Sequence, residues 1–178
     1  GRVLAWGGSL EGRPFPAPPW GNYYVYTHRG DIRGYASPRI SVAFNYECRL
    51  LSLWDKESKT AIYWTPDPAC LKFYEWSAPL RTILHWIGVE NGLALTHAAA
   101  VGKNGRGLLL CGKGGSGKST TSLACWHAGW QFVSDDYCWI SFDGVPRAYS
   151  IYSTAKLLPD QPVDLPDWSR VEGLSDDK

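Results

Sequence analysis

Two short runs carry the residues whose types and spacing can do chemistry. The first is Gly112-Lys113-Gly114-Gly115-Ser116-Gly117-Lys118-Ser119, a full match to the pattern G-x-x-x-x-G-K-[ST]. Glycines let successive backbone N–H groups converge on one concavity and hold phosphate oxygens. Lys118 adds a point charge for terminal phosphates, and the Ser119 hydroxyl is a hard oxygen suited to Mg²⁺. Thr120, next in line, completes the candidate phosphate-binding set. A helix starting here would aim its positive N-terminal end at the same anion.

The second run is Asp135-Asp136, at the end of the apolar stretch Phe132-Val133-Ser134. Two adjacent carboxylates there are costly unless cations or donors meet them. Neighbouring side chains on a strand point to opposite faces, so both can serve one site only if the strand ends or bends. Two roles suit them: one ligates Mg²⁺, and the other accepts the proton of an attacking hydroxyl. Most ATPases and GTPases with this loop place the metal-binding aspartate after a longer excursion. A GTPase-type N-K-x-D motif is absent.

The elements that must position these runs are readable around them. Leu108–Cys111 is a short apolar strand before the loop, and residues 120–128 form a helix that Gly129 stops. Residues 93–111 read as a hairpin: a strand over 93–101, a turn over Gly102–Gly107, then the strand entering the loop. Residues 130–140 form the strand that carries the acidic pair. Upstream, residues 77–91 read as an amphipathic helix with Ser77 as N-cap, Pro79 in the first turn, and a Leu80-Ile83-Leu84-Ile87 stripe. His85 lies beside that stripe as a structural or solvent-facing residue.

Three regions result. Residues 1–21 read as an irregular Pro/Gly-rich segment. Residues 22–76 are an antiparallel, aromatic-rich β region with strands at Tyr23–Tyr26, Ile40–Tyr46, Cys48–Trp54 and Thr60–Trp64, one face buried. Arg29-Gly30-Asp31 falls in a turn between them. Residues 77–178 are the core that holds the loop, with little periodicity after 145. The chain contains no methionine and ends at Lys178 without a clear final element, which reads as part of a longer protein.

Composition narrows the partners. A formal net charge of +1 over 178 residues argues against nucleic acid or anionic membrane as a bulk partner. No apolar run approaches the roughly 18 residues of a membrane helix. Five cysteines (48, 70, 111, 125 and 138) without C-x-x-C spacing read as free thiols in a reducing, cytoplasmic setting. The ten tryptophans read as core fillers rather than a binding platform.

His97, the loop and the pair Asp135-Asp136 together resemble the catalytic core of HPr kinase/phosphorylase, over about residues 93–142. The resemblance implies an α/β mixed sheet of the phosphoenolpyruvate carboxykinase/HPr kinase-like P-loop fold, with the loop in the middle of the sheet and helices flanking it. It implies ATP and Mg²⁺ as cofactors and a serine hydroxyl of a small protein or peptide as acceptor. Related kinases act on lasso precursor peptides. Carried over, Asp135 is the general base, Ser119 and Asp136 are metal ligands, Lys118 holds the terminal phosphates, and His97 stands near the transferred group. On its residue type alone, a lone histidine ending a strand reads more readily as structural, and the resemblance is what brings His97 into the site.

Two departures are visible: Lys113 stands where the family often has an acidic residue, and the aromatic-rich β region is unlike its regulatory domain. Arg147 and Lys156 are candidate extra cationic contacts. Two other classes remain open: an ATP-binding module that does not transfer phosphate, and a carboxykinase-type enzyme acting on a small acid. A homo-oligomer is also open.

Overall fold

The computed structural model describes residues 1–8, 32 and 34–152. The expected strand at Tyr23–Tyr26, the turn at Arg29–Asp31, and Lys156 lie outside these residues. The fold is mixed α and β, with several sheets and few helices. Two compact units divide between Ala94 and Leu95.

The first unit is built on a four-stranded sheet in the order β1-β4-β3-β2: β1 (Arg2–Gly7), β2 (Ile40–Asn45), β3 (Leu50–Asp55) and β4 (Thr60–Thr65). The last three form an antiparallel meander. Residues 2–7, expected to be irregular, form β1 and run parallel to β4. A distant partner creates this strand, and its exposed side chains leave no alternation to read.

One turn device serves twice. Asn45 Oδ1 accepts from the N–H groups of Glu47 and Cys48 at 3.1 and 3.3 Å. Asp55 Oδ1 accepts from those of Glu57 and Ser58 at 3.0 and 3.4 Å. Each turn closes on a left-handed residue, Arg49 or Lys59.

Burial alternates along β3 with the period of two that one-sided packing requires. Trp54 and Ala61 pack with Ile83 on one face. Ile32, Val42 and Phe44 cluster on the other. The single buried face expected from the sequence is therefore two, because β2 places apolar side chains on both sides.

The helix expected over 77–91 begins later, as α2 (Arg81–Glu90), and a separate short helix not expected from the sequence, α1 (Phe73–Ser77), precedes it. Pro79 is the cause. It disfavours helical geometry in the residue before it, and Ala78 sits at φ −142°, ψ 63°. Ser77 therefore ends a helix, with its hydroxyl donating to the Tyr74 carbonyl at 3.3 Å. Leu80, at φ 62°, begins the next. The stop at Asn91-Gly92 holds, with Gly92 at φ 69°.

β5 (Leu93–His97) leads into the second unit. Residues 93–101 are not one strand, since the chain turns at Ala98 before β6 (Ala99–Lys103). β6 and β7 (Arg106–Leu110) form a hairpin about Asn104-Gly105, both at positive φ as a two-residue type I′ turn requires. The loop leads to α3 (Lys118–His127), followed by β8 (Gln131–Ser134), β9 (Tyr137–Ser141) and β10 (Arg147–Ser150). β10 arises in a stretch that shows no periodicity in the sequence.

Two three-stranded orders result, β7-β6-β8 and β10-β9-β5. The strand feeding the loop thus stands at the end of an order among the described residues, not in the middle of a sheet. Leu108 and Leu109 accordingly remain exposed. The core of this unit is Ala98, Ala100, Cys138 and Ile140, with Val133 packed against it.

Candidate functional site

The loop begins where β7 ends, and its shape depends on missing side chains. A Cβ on Gly112 would crowd the Ser116 side chain, which would have to move. Gly115 and Gly117 adopt φ 77° and 84°, which L side chains rarely accept. Gly117 is the N-cap of α3 and has no side chain to cap it. The first intrahelical bond runs from Thr121 N–H to the Gly117 carbonyl at 2.9 Å. The amides of Lys118, Ser119 and Thr120 therefore have no carbonyl one turn back within the helix.

Lys118 Nζ donates to the carbonyls of Gly112 (3.0 Å) and Lys113 (3.3 Å). Its ammonium closes the loop on itself. Glycine-shaped backbone, amides at a helix start and an ammonium at the rim form a donor set that fits a polyphosphate.

The acidic pair lies in a break between strands. The expected single strand over 130–140 is two, β8 and β9, interrupted at Asp135-Asp136. Ser134 Oγ donates to the Tyr137 carbonyl at 2.6 Å across the break. This is the bend that adjacent carboxylates need to serve one place.

Their surroundings differ. Asp135 is 2% exposed, with Oδ1 3.3 Å from the Ser122 hydroxyl of α3. Ser122 lies one turn beyond Ser119, and its hydroxyl is also 2.9 Å from the Ser119 carbonyl oxygen. Asp136 Oδ1 lies 2.8 Å from His97 Nε2. The His97 ring stacks on Tyr137, with centroids 4.9 Å apart and planes 20° from parallel. The His97 side chain is half-exposed while Asp136 is largely covered.

The structure thus brings Asp136 to His97, and Asp135 to the face of α3 that carries Ser119. Arg147 stands exposed at the start of β10. Behind the pair, Cys138 is fully buried, and burial, with Cys111 as a lesser influence, pushes its thiol up to about 11. It remains a protonated core residue rather than a ligand. All five cysteines are free.

Among the described residues no cluster of three or more His, Cys, Asp or Glu side chains could cage a metal. Mg²⁺ does not need one. It keeps several waters and is held by one or two protein oxygens plus phosphates. The Ser119 hydroxyl and the acidic pair are hard oxygen donors of that kind.

Two participants escaped the sequence reading. Ser122 looks like ordinary helix filler in Thr120-Thr121-Ser122; its signal is a polar residue three positions after Ser119, on the face where Leu123 is also buried. Tyr137 reads only as the first residue of a strand.

The described helices include none long and apolar enough to cross a membrane. No protein-family model, curated protein or solved structure matches this chain.

Proposed function

We propose that this chain is an ATP- and Mg²⁺-dependent kinase that phosphorylates a serine hydroxyl of a small protein or peptide, with a P-loop core of the HPr kinase kind. The observation that carries the reading is the acidic pair in the β8–β9 break, with one carboxylate against the loop's own helix and the other on a histidine.

A bound nucleoside triphosphate with Mg²⁺ supplies a γ-phosphoryl group open to in-line attack. The chain's part is positioning and charge. The amides of the loop and of the first turn of α3 would hold phosphate oxygens, and Lys118, now bonded to the Gly112 and Lys113 carbonyls, would supply the charge for a terminal phosphate. Ser119 offers its hydroxyl to the metal.

The two aspartates divide the remaining work. The family resemblance assigns the base to Asp135 and the metal to Asp136; the geometry supports the reverse. Asp135 is buried and joined through one hydroxyl to the backbone of Ser119, which suits a metal ligand. Asp136 sits with a half-exposed His97, where an entering hydroxyl can reach. There Asp136 accepts the hydroxyl proton, and His97 orients the carboxylate and shares the charge.

The test is phosphoserine formation on candidate peptides incubated with ATP and Mg²⁺, read by mass spectrometry. Asp136→Asn should slow transfer by about 10²–10⁴-fold while leaving the half-saturating Mg²⁺ concentration near its original value. Asp135→Asn should raise that concentration. Mg²⁺-dependent ATP binding with no transfer to any serine peptide would make the chain a nucleotide-binding module instead.

A further inference from the structure

The Ser122 hydroxyl bridges α3 and Asp135 of the acidic pair. It lies 2.9 Å from the Ser119 carbonyl oxygen and 3.3 Å from Asp135 Oδ1. A hydroxyl carries one proton, so it cannot donate fully to both. The shorter contact is a back-bond within one helical turn, a common arrangement for serine in a helix. The longer one ties a carboxylate on the β8–β9 break to the helix that begins at the loop.

Ser122 is itself fully buried, and Asp135 nearly so. When the hydroxyl turns its proton to Asp135, it adds a buried donor to the carboxylate, and losing such a donor costs more in the interior than at the surface.

We infer that Ser122 is a positioning residue for the metal-binding carboxylate: it holds Asp135 against the turn of α3 that carries Ser119. This rests on the kinase reading above. Ser122 itself touches neither metal nor phosphate. When the cation draws Asp135 in, the hydroxyl keeps the Ser119 carbonyl as an acceptor, so no buried donor is stranded.

The experiment is a Mg²⁺ titration of binding to a fluorescent ATP analogue, on the full chain and without any acceptor peptide. Ser122→Ala should raise the half-saturating Mg²⁺ concentration about tenfold, the size expected for one hydrogen bond to a charged group. Ser122→Cys fills the site with a somewhat larger atom but offers only a weak donor, so a folded Cys variant should resemble Ala in Mg²⁺ dependence. In an Asp135→Asn background, Ser122→Ala should change the Mg²⁺ dependence no further, since the residue acts through Asp135.

Folded Ala and Cys variants with the original Mg²⁺ dependence overturn the inference. So does an effect of Ser122→Ala that adds in full to that of Asp135→Asn. Absence of Mg²⁺-dependent nucleotide binding in the unaltered protein overturns the kinase reading itself, and this inference with it.

Discussion

The two units handle buried and half-buried carboxylates differently. In the first, acids meet permanent cations and fixed donors. Asp55 receives a bidentate grip from Arg39 at 2.9 and 2.6 Å. Glu90 accepts from Trp54 Nε1 at 2.7 Å and from Lys59 at 3.2 Å. Glu75, nearly buried, accepts from Asn45 and Tyr63 and lies 3.7 Å from Arg81. Burial and the Glu75 charge push the Tyr63 hydroxyl well up, so it stays a donor. In the second unit, Asp135 is seen against a hydroxyl that has a second acceptor, and Asp136 against an imidazole. Arginine cannot give up its proton, whereas a serine hydroxyl can rotate and a histidine can exchange protons near neutrality. The first arrangement ties a sheet together with permanent cations, and the second places its carboxylates beside a hydroxyl and an imidazole.

The difference can be broken by substitution. Lys118→Ala should produce the largest effect, a loss of nucleotide binding of about a hundredfold or more, on the scale of removing a buried charge–phosphate contact. Melting in the absence of nucleotide should change little, because among the described residues Lys118 bonds to carbonyls of its own loop. Calorimetric titration with ATP and Mg²⁺ reads the first quantity, and thermal melting reads the second. Unchanged nucleotide affinity would remove the loop from the site altogether.

Glu90→Ala should show the opposite profile. It strips the Trp54 indole N–H of its acceptor and Lys59 of its ion pair, on the helix that packs against the sheet. A loss of about 1–2 kcal/mol is expected, since the pair is partly solvated and only the indole bond is well covered. That appears as a melting temperature lower by several degrees, with nucleotide affinity intact. An equal loss of nucleotide binding would erase the distinction between the units.

The smallest effect is a pH dependence. The Arg39 hydrogen bond holds the Asp55 carboxyl well below the usual carboxylate range. A depressed folded-state pKa stabilises the fold above the unfolded value and loses that contribution as pH falls through the folded one. The contribution should therefore be intact above about pH 4 and fade below it. Asp55→Asn should flatten that part of the acid melting curve. Arg39 is exposed, so added salt should shrink the difference; a curve that keeps its full acid slope in the Asn variant would assign the slope to other acids.

How much was legible follows from the range of each interaction. The strand, glycine loop and helix over 106–127 are local. Their residues meet neighbours a few positions away, and positive-φ glycines announce the turn before any fold exists. The need for an end or bend at Asp135-Asp136 was legible if both carboxylates serve one site, but the division of residues 130–140 into β8 and β9 was not. Pro79 obscured the boundary between α1 and α2: Ser77 and Pro79 read as a cap and first turn of the helix that follows, whereas Ser77 ends α1 and the helix resumes only at Arg81. β1 and β10 were hidden because exposed strands carry no alternation and exist only through their partners.

By itself, then, the sequence determined the chemistry on offer: a phosphate-shaped loop, a lysine, a serine and two carboxylates. Tertiary structure decided which carboxylate stands where. Asp135 and Asp136 are the same residue type in adjacent positions, and no spacing rule separates them. Only the packing of α3 on β8, and the sheet that carries β5 and β9, gives one a buried hydroxyl and the other a histidine. Those partners lie 13 and 39 positions away in the chain, and contacts over such distances are set by the fold rather than by local preference.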